Sequence, residues 1–147
     1  MSRHAFRLAS VLSLRDAQLS EAGSAVARIE SEIQLLESAS YQVDASRRAV
    51  QQGFVQERSV SSAELRHAAE YLEVLEHEYN RLREQVEGAR ERLLDARSML
   101  VERHQAVSVL KKLRDRLDDV ATLDDQHSEQ RALDEVAGAQ SYRSRRQ

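Results

Sequence analysis

Stepping alternately by four and three residues from Leu8, the chain reads Leu8, Leu12, Arg15, Leu19, Ala22, Val26, Ile29, Ile33, Leu36, Ser40, Val43, Arg47, Val50 and Phe54. Eleven of these fourteen positions are apolar, and mostly charged or small polar residues lie between them. That is the 3.5-residue period of a left-handed coiled-coil seam. A second series runs from Leu65 through Leu72, Leu75, Tyr79, Leu82, Val86, Leu93, Leu100, Val107, Leu110 and Leu117 to Ala121. Its seventeen positions are interrupted only by Arg103 and Arg114. Beyond Ala121 the series fails at Asp124, and an apolar stripe resumes with Leu133, Val136 and Ala137. The pattern predicts an all-α fold, a long antiparallel two-helix coiled-coil hairpin with helix 2 extending beyond helix 1.

The stretch Gly53 to Ser62 carries the turn signals. Ser61 followed three residues later by Glu64 is a capping box, so helix 2 is expected to start at Ser61 or Ser62. A continuous helix through this region is the competing reading, because a single Gly does not end a helix. The expected organisation is one coiled-coil domain over 1–147, with helix 1 at about 5–56, a turn at about 57–61, helix 2 at about 62–139 and a flexible basic tail at 140–147. Reversal at the turn pairs Phe54 with Leu65, Val50 with Ala68, Arg47 with Leu72, Ser40 with Tyr79, Ala22 with Ala96, Arg15 with Arg103 and Leu8 with Leu110. Two strict heptads can always be aligned in this way, so the register is permitted by the pattern and not proved by it. In the Arg15 and Arg103 layer, either the guanidinium groups reach outward to Asp16 and Glu102, or the layer is held for an acidic partner.

Helix 2 outruns helix 1 by about thirty residues, which leaves Leu113, Leu117, Val120, Leu123, Leu133 and Val136 without an internal partner. Such a stripe is either a docking surface or a frayed chain end. A domain-swapped dimer would preserve the same layers between two chains.

Composition narrows the function classes. The 147 residues include no Pro, no Cys and no Trp, four isolated Gly and six aromatics, which favours a narrow helical seam over a wide core. Without Cys there are no disulfides, thiolate metal sites or Cys nucleophiles. Twenty-two basic against twenty-five acidic residues give a net charge of -3, no general attraction for nucleic acid or anionic membrane. No apolar run approaches a membrane span. Met1 to Arg15, rich in Arg and Ser, admits a presequence reading, although its periodicity continues far beyond any presequence. No Gly-rich phosphate loop occurs, and no two His stand at ligand spacing. Glu73 and His77 stand one turn apart, either sharing a metal or lying on a solvated face. Paired carboxylates such as Asp118 and Asp119 lie on a helix that encloses no cleft. Catalysis, cofactors and metals are therefore not expected. Lys111, Lys112, Arg114 and Arg116 form one basic cluster, and Arg143, Arg145 and Arg146 a second. Acids interrupt the first and no aromatics interleave, so an acidic protein surface suits them better than nucleic acid. Off the seam, Tyr71 and Val74 cluster with Leu75 within one turn, as a second docking site would.

The runs FRLASVLSLRDAQLSEA (Phe6 to Ala22), SSAELRHAAEYLEVLE (Ser61 to Glu76) and EQRALDEVA (Glu129 to Ala137) resemble the FliJ family of flagellar export proteins. The two end motifs carry most of the resemblance, above all Leu133, Asp134, Glu135 and Ala137. It implies a non-enzymatic, mostly monomeric, cytoplasmic component of the flagellar type III export apparatus, peripherally associated with the inner membrane. Both termini would enter the hexameric ring of the export ATPase and promote its assembly, as the stalk of a rotary ATPase does. The ATPase-facing residues carried over are Phe6, Leu8, Leu12, Arg15, Leu133, Asp134 and Glu135, to which the uncovered stripe adds Leu117. Contact with the cytoplasmic domain of the export gate would use Tyr71 and Leu75, although Glu78 stands where the family suits a small residue. Export chaperones are further implied partners. An injectisome stalk of similar shape and a coiled-coil scaffold dimerising through the overhang are the alternatives.

Overall fold

The computed structural model describes residues 3–56 and 59–146, except for the side chains of residues 3, 4 and 6. Two helices make up the described chain: α1 at Arg3–Gln56, with 54 residues, and the longer α2 at Ser62–Ser144, with 83. They pack against each other as an all-α antiparallel hairpin. Both lengths follow from the absence of Pro and from seams whose burial rewards helix continuation more than local propensity alone would. No described glycine has a positive φ, so Gly23, Gly53, Gly88 and Gly138 are ordinary helical residues and not turn formers.

The start of α2 is fixed by the capping box. The Glu64 backbone N–H donates to Ser61 Oγ at 3.2 Å, and the Ser61 N–H donates to Glu64 Oε2 at 3.2 Å. The Leu65 N–H then closes the first turn on the Ser61 carbonyl at 3.0 Å. Residues 59–61 are not helical, and Glu57 and Arg58 of the expected turn lie outside the described residues. Ser61→Ala removes the side-chain half of this exchange and is expected to cost about 1 kcal/mol, read as a lower urea midpoint at unchanged m-value.

The far end of α2 differs from expectation, for the helix continues through the anticipated tail to Ser144. Gly138 alone costs only about 1 kcal/mol and does not stop a helix. Beyond it, Arg143 lies in the last turn, where a cation favours the helix dipole. The Arg146 guanidinium lies 5.1 Å from the centre of the Tyr142 ring one turn earlier.

The chain divides into two compact units, Gln18–Arg103, which contains the turn, and Met1–Ala17 with His104–Gln147. In the first, the buried positions Leu75, Leu82, Val86, Ala89 and Leu93 repeat at the seam spacing, with Val86 and Ala89 fully buried. In the second, Leu12 and Val107 are buried.

Candidate interaction surfaces

Within the Gln18–Arg103 unit, three interhelical ion pairs flank the seam. Arg97 meets Glu30 at 2.9 Å, Arg92 meets Glu32 at 2.7 Å and Arg90 meets Glu37 at 2.7 Å. Seven residues forward on α1, from Glu30 to Glu37, match seven residues backward on α2, from Arg97 to Arg90, as antiparallel pairing requires. All six side chains are exposed enough that these pairs select orientation more than they add stability. Two charge-assisted bonds from Arg92 hold the Glu32 carboxyl below the ordinary carboxylate range. Its contribution is complete above the unfolded pKa and fades as pH falls through the lower native value. Opposite charges beside the seam were the sequence signal for these pairs, and heptad counting alone passes over them.

The seam also contains a polar cluster. Ser40 is buried and lines a cleft with Tyr79, Asp44 and Arg83. Arg47, expected opposite Leu72, instead turns its guanidinium over the Tyr79 ring, 5.3 Å from the centre, and donates to Asp44 Oδ1 at 2.6 Å. Its buried Nε has no hydrogen-bond partner. Helical side chains lean toward the N-terminus of their own helix, which carries this long head group away from its own layer. Arg103 likewise gives Nη1 to the amide oxygen of Gln18 at 3.0 Å, where a carboxylate was expected.

Near the turn, Tyr71 is 49% exposed and lines an apolar groove with Val50, Gly53, Phe54 and Ala68. A Cβ on Gly53 would meet nothing within 4 Å, so the space beside it is open. Leu75 is placed differently from its expected partner in docking. At 8% exposure it belongs to the seam, and Tyr71 with the exposed Val74 supplies the accessible surface.

The other unit contains the second candidate surface. Leu8 and the buried Leu12 line a groove with Ala5, Asp16, Arg114 and Leu117. Arg15 is half-buried, and the Phe6 side chain lies outside the described residues. Every described residue from Lys111 to Arg146 is exposed. Among them Leu117 is 46%, Val120 54%, Leu133 65% and Val136 56% exposed. Asp134 accepts from Gln130 Nε2 at 3.1 Å, and Glu135 is exposed on the same turn. The structure therefore gathers Leu8, Leu12 and Leu117 about one groove and leaves Leu133, Asp134 and Glu135 on an uncovered helix.

Among the described residues, no three His, Asp or Glu side chains gather as a metal site. No described helix is long and apolar enough to cross a membrane. Comparison with curated proteins and with solved structures gave no significant match. A family model, that of the flagellar FliJ protein, matches residues 4–146. With a match over nearly its whole length, the chain belongs to the flagellar FliJ protein family.

Proposed function

We propose that this chain is a non-enzymatic stalk of the flagellar type III export apparatus, binding the export ATPase ring and promoting its assembly and turnover. The observation that carries this reading is the stretch from Lys111 to Arg146, in which every described residue is exposed and Val120, Leu123, Leu133 and Val136 are each more than half exposed. Exposing that much apolar surface on a single helix is the arrangement of a segment that docks into another protein. Leu8, Leu12, Arg15 and Leu117 belong to the same docking end, with Phe6 beside them in sequence, and Leu133, Asp134 and Glu135 lie farther along α2. The stalk contributes position and no catalytic group: bound preferentially to one ring arrangement, it shifts the ring toward that arrangement.

The groove at Tyr71 is the proposed contact for the cytoplasmic domain of the export gate, with Leu75 fixing the helix beneath it. Export chaperones are proposed as further partners on the strength of the family alone. The proposed location is the cytoplasm, at the inner-membrane export apparatus.

The experiment is a mass measurement by light scattering on the cognate export ATPase with a non-hydrolysable nucleotide, with and without the full chain. A shift from low-mass species to a hexamer that carries the chain is expected. An ATPase whose mass distribution is unchanged at saturating chain concentration contradicts the stalk reading.

A further inference from the structure

The part of the Gln18–Arg103 unit nearest the turn is built differently from the rest of its seam. From Tyr41 to Gln56 and from Ser59 to Val74 no described residue is buried, and the first buried positions beyond are Ser40 on α1 and Leu75 on α2. The heptad positions of this arm are nonetheless mostly apolar, with Val43, Val50 and Phe54 on α1 and Leu65, Ala68 and Leu72 on α2. Leu65, although a seam residue, is 58% exposed. Where a closed core would lie, an open groove runs past Val50, Gly53, Phe54, Ala68 and Tyr71.

Polar pairing changes at the same place. Among the described residues of 41–56 and 59–74, every ion pair and side-chain hydrogen bond stays within one helix or its cap: Arg47 and Arg48 with Asp44, His67 with Glu70, Ser61 with Glu64. The interhelical ion pairs begin only with Glu37 and Arg90. At the root of the arm the Arg47 guanidinium of α1 lies over the Tyr79 ring of α2, with its buried Nε unpaired. Parting the helices as far as this point exposes little that was buried and hands that Nε to water, while Asp44 stays with Arg47 on the same helix. Parting them further exposes Leu75, Leu82 and Val86, where burial is deepest.

We infer that the two strands of this arm, 41–56 and 62–74, open together as one unit while the rest of the seam stays closed, and that Arg47 fixes where the opening stops. Once parted, each is a short helix end without a partner, and such ends melt in water. Opening bares Val50, Phe54, Ala68 and Leu72, so access to the apolar residues of the groove follows the equilibrium of the arm. This concerns the chain alone and stands whether or not the stalk reading does.

The test is amide hydrogen exchange, read by mass spectrometry, on the full chain and on its Arg47→Met variant, in which an unbranched apolar side chain replaces the charged one. In the parent, residues 43–56 and 65–74 should share one level of protection, about tenfold or more below that of Leu75 to Leu93. The variant has an apolar side chain at this layer and no unpaired buried donor, so exchange should slow about tenfold on both strands of the arm, although the substitution lies on α1 alone. An arm as well protected as Leu75 to Leu93 would overturn the separate opening. Slowing confined to α1 would mean that each helix frays by itself, which overturns opening as one unit. Exchange that is unchanged or faster in the variant would overturn the role given to Arg47.

Discussion

Val86→Asp is expected to unfold the Gln18–Arg103 unit, losing about 4 kcal/mol or more. Val86 is fully buried at the centre of the apolar run Leu82, Val86, Ala89 and Leu93, so an aspartate there is taken out of water. Protonation of the carboxyl relieves the charge but still leaves a polar group without a partner. A domain holds only about 5–15 kcal/mol in total, so the loss removes a large part of what keeps the two helices together. Val101→Asp, the same exchange at a position 56% exposed on the same helix, should stay within about 0.5 kcal/mol of the parent. Circular dichroism during urea unfolding separates the two cases. Equal midpoints for both variants would mean that the seam is not where the structure puts it.

Ending the chain after Asp125 is expected to have the opposite profile. It removes Leu133, Asp134, Glu135 and Val136, and every described residue it deletes is exposed. No core is opened, so the thermal midpoint should move by less than about 2 °C. Stimulation of the cognate ATPase should nevertheless fall to the rate of the ATPase alone. Leu133→Asp in the full-length chain should reproduce part of that loss without shortening the helix. A truncated chain that stimulates as well as the parent would place the docking surface elsewhere, with the Leu8, Leu12 and Leu117 groove the next position to probe.

Much of this was legible because the governing signals are local or periodic. The alternation of three and four that runs through Leu82, Val86, Ala89 and Leu93 marks the buried line of α2, and a Ser and a Glu three residues apart mark its first turn. The limits of that reading are physical as well. Heptad counting assigns Arg47 to a layer but says nothing of where a head group several bonds away comes to rest; here that is over Tyr79. It also gives Leu75 two roles, seam and docking, whereas one side chain buried to 8% exposure presents little to a partner. The end of α2 was obscured because Gly138 is a weak breaker and the stabilising pair, Tyr142 with Arg146, lies beyond it. The overhang was legible as an absence, since helix 1 is too short to cover it.

Amide hydrogen exchange on the full-length chain, alone and with the assembled ATPase, tests the central claim most directly. Alone, residues 111–146 should exchange far faster than the buried stretch from Leu75 to Leu93, because a single exposed helix opens locally. On addition of the ATPase, slowed exchange should appear within 111–137 and leave the stretch from Leu75 to Leu93 unchanged. Slowing confined to Leu75 to Leu93, with 111–137 exchanging as before, would contradict docking through the overhang.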